Sequence, residues 1–320
     1  MKIVVTGALG HIGSKLIREL PKRLSDDAEV LMIDNFRCQR YVSLFNLPEI
    51  GHYTFVEKDV TKDPVEKEIY GANAVIHLAA ITDASNSFNI KEEIEQNNYT
   101  ATLKVAEICQ KLQVPMIFIS TTSVYGTQSE IVDEDCSEEE LKPQSPYAET
   151  KLREEKLLQT MPGLQFIICR FGTICGASPG MRFHTAVNKF CWQASCRVPI
   201  TVWKTALHQK RPYLVLDDAI DALLLIIKKE IYDNQIYNIL SENSSVNDII
   251  SSIKKYVPSP IINFVDSQIM NQLSYNVLDN KFRSHGFESK TKIEQAIIET
   301  LELLKNFNTY ETKYVNTGRV

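Results

Sequence analysis

Tyr147 and Lys151 stand four residues apart in SPYAETK, Ser145 to Lys151. On a helix that spacing puts both side chains on one face. An ammonium beside a phenol favours the phenolate and lowers a pKa that starts at about 10, so Tyr147 is a candidate acid/base at neutral pH. A second stretch, MIFISTTSVYG (Met116 to Gly126), reads as a strand running out into hydroxyl residues. Thr121, at its carboxyl end, can hydrogen-bond the substrate oxygen that the tyrosine would act on. Tyr-x-x-x-Lys also occurs on helices as a structural pair, so the elements around it decide the reading.

The chain opens on the apolar, β-branched Ile3 to Val5, as a buried parallel strand would. Gly7, Gly10 and Gly13 follow in the spacing T-G-x-x-G-x-x-G, and Ile12, Leu16, Ile17 and Leu20 then recur at helical spacing. Strand, glycine loop and helix together point backbone N–H groups and a positive helix end at a phosphate. Gly7 is expected in a turn conformation closed to other residues; Gly10 would let the backbone approach a pyrophosphate, and Gly13 would let helix and strand pack closely. Pro21 is expected to end or kink the helix. The next strand, in EVLMIDNF, ends at Asp34, about twenty residues beyond the last glycine, where a carboxylate accepts hydrogen bonds from the adenosine ribose. A carboxylate there repels a 2′-phosphate, which favours NAD over NADP; Arg37 and Arg40 are what keeps NADP open. The bland alternative for Asp34 is a turn cap.

The 320 residues are 44% hydrophobic, enough for a large core or two closely packed domains. The net charge of −5 is spread over interspersed acids and bases, with no long basic run to suggest nucleic acid. Seven scattered cysteines, without C-x-x-C pairs or histidines at metal spacing, read as reduced thiols and give no metal site. No signal peptide precedes the first strand and no apolar run reaches membrane-spanning length, so a cytoplasmic protein with no membrane partner is expected.

Apolar strand candidates recur at 3–5, 30–33, 53–56, 74–78, 116–120 and 166–170, with helical patterns notably at 94–112 and 147–159. This alternation predicts an α/β fold, a Rossmann-like doubly wound parallel sheet. After Arg170 it loosens: GTICGASPGMRF reads as a loop, and helices are expected over 185–194, 217–229 and 292–307. The division expected is a cofactor domain over 1–170 with a returning segment near 211–235, a smaller α/β substrate domain over 171–310, and a polar tail at 311–320.

With these motifs in order, the sequence from Lys2 to about Lys305 resembles the extended short-chain dehydrogenase/reductases, specifically the NAD-dependent sugar-nucleotide epimerase/dehydratase family. TGALGHIGS matches that family's glycine loop, which adds Leu9, His11 and Ile12 to the implied cofactor contacts, and Asp34 its ribose-binding acid, followed by Asn35. KDV puts Asp59 and Val60 where the family contacts adenine, VIHLAA puts Leu78, Ala79 and Ala80 beside the cofactor ribose, and NNYTAT puts Asn98 at a structural and proton-relay asparagine. Thr121, Tyr147 and Lys151 fall on its Ser/Thr–Tyr–Lys triad. The resemblance implies that Tyr147 takes a proton from a sugar hydroxyl while hydride leaves the same carbon, that Lys151 binds the nicotinamide ribose, and that Thr121 steadies the developing oxyanion.

The partner implied is a nucleotide-linked sugar carrying UDP, GDP, CDP or dTDP. Its contacts would include Thr82, Thr121, Thr122, Thr173 (where many members carry asparagine), Asn188 and Arg211; His184 is a weaker candidate. For Arg211 the alternative is a surface ion pair with Asp217 or Asp218. The family's 4,6-dehydratases carry Asp-Glu directly after the catalytic threonine, and here those positions are Thr122 and Ser123, which disfavours dehydration. What remains is epimerisation, or oxidation or reduction at one sugar carbon, C4 by resemblance. A non-catalytic NAD sensor or scaffold is the alternative of another class, and such members commonly lose the tyrosine or lysine that this chain keeps. A homodimer is expected through the helices over 94–112 and 147–159, with Val105, Ile108, Leu112, Leu157 and Leu158 as its seam.

Overall fold

The computed structural model describes residues 1–82, 87–125, 130–266 and 274–306. The tail expected at 311–320 lies outside the described residues, as do Gly126 and Phe307. The six expected strands form as β1 (Lys2–Thr6), β2 (Glu29–Asp34), β3 (His52–Glu57), β4 (Ala74–His77), β5 (Met116–Thr121) and β6 (Phe166–Phe171), and β7 (Ile236–Ile239) joins them. All neighbours in this sheet run parallel, in the order 3-2-1-4-5-6-7. The order reverses between β1 and β4, so the loops leaving their carboxyl ends part and open a crevice there.

Side chains alternate across each strand, and here both faces are buried. Ile3, Val5, Ile76 and Ile117 enter one core while Val4, Val75, Met116 and Phe118 enter another. The first core is roofed by α1 (His11–Leu24), the second by α2 (Lys91–Leu112) and α3 (Pro146–Gln159), and α4 (Leu216–Lys229) lies beside α1. Ion pairs Lys15–Asp217 and Arg23–Asp221, each 2.5 Å, bind α1 to α4.

Pro21 does not end α1, which runs through it to Leu24; the buried ring packs against Gly51, where a Cβ would stand 2.5 Å from Pro21 Cγ. Of the seam residues expected between two copies, Val105 and Leu158 are fully buried in the core beneath α2 and α3, while Ile108, Leu112 and Leu157 are half-buried, the first two packing against that core. The segment read as a loop after Arg170 contains a strand, Thr173–Cys175, which pairs with Lys210–Val215 and through it with Glu242–Ser245. Around that small sheet, helices Ala186–Ser195, Val246–Tyr256 and Ile293–Leu303 enclose a core of their own.

Candidate active site

The segment SPYAETK starts α3 for local reasons. Ser145 is extended and its Oγ accepts the Ala148 N–H at 3.2 Å, while Pro146 takes the first helical position, where a missing N–H costs nothing. Tyr147 is thereby held in the first turn and Lys151 one turn on, both lining a cleft at the carboxyl ends of the sheet. One turn past Lys151, α3 is anchored by Glu155, which pairs with Arg170 of β6 (Nη2–Oε2 2.6 Å, Nε–Oε1 3.0 Å) and accepts Ser120 Oγ of β5. Arg170 also donates to Tyr125 at 3.0 Å, whose hydroxyl donates to Asn238 of β7 at 2.7 Å.

The glycine loop forms the other wall. Gly7 has φ +65°, and a Cβ there would stand 2.6 Å from Ala79 N and 2.7 Å from Leu78 O; at Gly13 it would stand 2.6 Å from Ala8 O. Gly10 caps α1 without a side-chain hydrogen bond, so the first-turn N–H groups keep no side-chain partner at the cap. Asp34 joins the loop to the next turn: Oδ2 accepts Leu9 N at 3.1 Å and Oδ1 accepts Phe36 N at 3.0 Å. Burial raises its pKa, opposed by those two amides and by Arg40. Arg37 is engaged with Glu93 at 2.6 Å.

Most residues singled out from sequence meet in this one cleft. Gly7, Leu9, Gly10, His11, Ile12, Gly13, Asp34, Asn35, Asp59, Val60, Leu78, Ala79, Ala80, Thr82, Thr121, Tyr147, Lys151 and Thr173 all line it. Asn98, Thr122, Asn188 and Arg211 do not. Asn98 is fully buried and clamps the backbone of Ile81, accepting its N–H at 2.8 Å and donating to its carbonyl at 2.9 Å. Thr122 turns inward to the Phe171 carbonyl at 3.3 Å. Asn188 ties a loop, accepting Gly176 N and donating to the carbonyls of Gly176 and Arg182, each at 3.1 Å. Arg211 lies over the Tyr275 ring at 5.2 Å, and neither Asp217 nor Asp218 is its partner, since Asp217 holds Lys15 and Asp218 accepts from Ser241, Ser289 and two backbone amides.

That same loop brings in the weaker candidate His184 and, beside it, residues the sequence did not mark. His184 and Arg182 line the cleft, and the Arg182 guanidinium donates to Thr82. Gly180 lies on the glycine loop itself: its N–H donates to Ser14 Oγ at 2.9 Å, and Ser178 Oγ is 2.8 Å from His11 Nδ1. In the sequence this stretch reads only as a loop, because the neighbours it meets here are remote in the chain.

The phenol departs from expectation. Burial and the Glu154 carboxylate push the Tyr147 pKa up, Arg182 opposing. Lys151 is 3% exposed and pairs with Glu154 at 3.3 Å, its ammonium 4.4 Å from the centre of the Phe118 ring. Beneath the cleft His77 is buried between Thr6 (Nδ1–Oγ1 2.8 Å) and Thr102 (Nε2–Oγ1 3.3 Å), and burial, with Lys151 adding, holds its pKa down at about 3.

Comparison with known proteins agrees with this geometry. Residues 3–239 match the model of the NAD dependent epimerase/dehydratase family, and the chain belongs to that family. It is 30% identical over 267 residues to the UDP-glucose epimerase YtcB of Bacillus subtilis, described as uncharacterized, covering 79% of this chain and 81% of that one. It is 26% identical over 319 residues to RHM1 of Arabidopsis thaliana, a trifunctional UDP-glucose 4,6-dehydratase, 3,5-epimerase and reductase, of which the match spans 46%. Among solved structures, the UDP-glucuronic acid 4-epimerase of Bacillus cereus, in complex with UDP-glucuronic acid and NAD, superposes with a TM-score of 0.83 at 27% identity, covering 95% of this chain and 99% of that one. The cofactor is NAD, and the residues present fit it: a glycine turn with no room for a Cβ, an uncapped helix start for pyrophosphate, and Asp34 for the ribose.

Two consequences can be measured. Gly180→Ala would put a Cβ 2.3 Å from the Leu9 carbonyl oxygen, so the loop or the glycine turn must move. Calorimetric titration is expected to show weaker NAD binding and a stability lower by about 1–3 kcal/mol, whereas unchanged affinity and melting temperature would contradict the contact. His77 binds its proton near 6.5 when unfolded but only at about 3 when folded. Its contribution is therefore intact above pH 6.5 and lost as pH falls toward 3, by about 1.4 kcal/mol per pH unit. Denaturation series from pH 7 to 4 should show that slope diminished by one proton in His77→Gln.

Proposed function

We propose that this chain is a 4-epimerase of a UDP-linked sugar, with Tyr147 as its acid/base. The observation that carries the reading is one of assembly. Thr121 from the end of β5, Tyr147 and Lys151 from α3, and the glycine loop with Asp34 line a single cleft at the switch point of the sheet. YtcB and the Bacillus cereus enzyme, both named as epimerases of UDP-sugars, support the substrate class.

NAD, when bound, would supply the redox chemistry by accepting and returning a hydride at the sugar carbon. The chain supplies geometry and protons. Tyr147 Oη takes the proton of the sugar hydroxyl and later gives it back. Thr121 Oγ1 accepts the Ser123 N–H at 3.1 Å, so its own proton remains to donate to the same sugar oxygen. Lys151 holds the ribose end of the cofactor. Residues from 171 onward form the substrate side, where Thr173 and Arg182, with Thr82 opposite, offer hydroxyls and a guanidinium to the sugar and its diphosphate. A 4,6-dehydratase would need an acid and a base just beyond Thr121. Thr122 is instead buried against a carbonyl and Ser123 offers only a hydroxyl.

Incubating the purified protein and NAD with UDP-glucose, UDP-glucuronic acid and UDP-N-acetylglucosamine, then identifying the released sugars, tests the proposal. A 4-epimer from at least one, with no net cofactor reduction, is expected. Tyr147→Phe should lower that rate about 10²–10⁴-fold while NAD still binds. A 4-keto-6-deoxy product, or stoichiometric cofactor reduction, would overturn it.

A further inference from the structure

Two consecutive acids, Glu154 and Glu155, are buried on α3, and only the second has its role explained by the anchoring of the helix. Glu154 is completely buried one turn past Lys151, with no solvent to stabilise its charge. Its Oε2 lies 3.3 Å from Lys151 Nζ, and its Oε1 accepts the hydroxyl of Thr102 on α2. Removing one partner of such a buried pair is strongly destabilising, and the pair itself adds little net stability. Fold stability alone therefore gives no reason for a charge here.

We infer that Glu154 is a positioning residue of the Tyr147–Lys151 pair: its carboxylate holds the Lys151 ammonium and, through Thr102, sets the direction of a hydrogen-bond chain running beneath the cleft to the glycine loop. This rests on the reading of Tyr147 and Lys151 as the reacting pair.

The direction follows from donor counting. A carboxylate only accepts, so the single Thr102 proton goes to Glu154 and the Thr102 oxygen accepts from His77 Nε2 at 3.3 Å. His77, neutral, then carries its proton on Nε2, and its Nδ1 accepts from Thr6 Oγ1 at 2.8 Å. The Thr6 oxygen in turn accepts the Ala79 N–H at 3.3 Å. Thr6 precedes Gly7, and Ala79 lines the cofactor cleft, so the chain joins the lysine to both walls of the cofactor site.

The electrostatic effect falls on the phenol. Tyr147 is faced by Glu154 from its own helix and by Arg182 from the loop over the cleft; Glu154 is faced by Lys151, which lines the same cleft as the phenol, and, through Thr102, by neutral His77. Glu155, one turn past Lys151 on α3, is neutralised by its own partner Arg170. With Glu154 present, the lysine and its counter-ion sum to no net charge beside the phenol. Without it, an uncompensated ammonium would favour the phenolate at lower pH.

The test compares Glu154→Gln, which keeps the shape and can still accept from Thr102, with Glu154→Asp, which keeps the charge. In NAD-loaded protein, the tyrosinate absorbance lost on adding Tyr147→Phe reports the phenol. In Glu154→Gln it is expected to appear at least about one pH unit lower than in wild type, a tenfold change in proton affinity. In Glu154→Asp it should stay within a few tenths of a unit, and the acid limb of kcat/KM should follow the same pattern. Nitrogen chemical shifts of His77 in the wild-type protein should report the Nε2–H tautomer. A titration unmoved or raised in Glu154→Gln overturns the inference, as does an Nδ1–H tautomer, which decides the matter even if Glu154→Gln does not fold. If wild-type protein turned over no UDP-sugar, the functional reading would fail, and the phenol titration and tautomer would still judge Glu154.

Discussion

The turn after β1 comes so close to the end of β4 that a side chain between them is excluded. At Gly7 a Cβ would lie well inside van der Waals contact distance of Ala79 N and Leu78 O, and the backbone there has a positive φ of 65°, a conformation that side chains disfavour. This approach fixes where α1 begins, and Gly13 then lets α1 settle on the loop's own carbonyls. Ser14, placed by α1, holds Gly180, and the loop that follows Gly180 carries Arg182 and His184 into the cleft. A single backbone contact at the switch point thus sets the cofactor wall directly and the substrate wall through the hydrogen bonds of His11 and Ser14 to the Ser178–Gly180 loop.

Charge is arranged around that contact with two buried acids doing different work. Glu155 is matched by Arg170, which reaches on to Tyr125 and Asn238, so α3 is fixed against three strands of the sheet. Glu154 is matched by Lys151, the residue nearest in role to the phenol. Burial alone disfavours a phenolate, and Glu154 disfavours it further. The resting protein therefore presents Tyr147 as a neutral hydroxyl, and the lysine expected from sequence to acidify it is held by a carboxylate instead. Spacing on a helix shows which side chains share a face but not which third group competes for one of them.

Much of the cofactor side was legible because its signals are local. Buried parallel strands leave near-continuous apolar runs, and all six strands from Ile3 to Arg170 formed where those runs lie. The glycine spacing, Asp34 and the Tyr–Lys pair are each contained in a few residues. What escaped was long-range or too short for periodicity. Thr173–Cys175 is a three-residue strand made by pairing with Lys210–Val215, and β7 returns to the main sheet between the second and third strands of that small sheet. Asn98 and Asn188 clamp backbone, since a buried amide spends its donors and acceptors on whatever loop encloses it, and Arg211 lies over the Tyr275 ring outside the cleft lining. Arg182 reached the cleft because a remote hydrogen bond seated its loop.

At the centre of the account is hydride leaving and returning at one sugar carbon, with Tyr147 moving the proton of that carbon's hydroxyl. Deuterium at C4 of the UDP-sugar that turns over follows this most directly. Mass spectrometry and NMR of the product formed in ordinary water should find the label still at C4 in the inverted sugar. Deuterium lost to solvent from C4, or inversion at another carbon with C4 untouched, would contradict it.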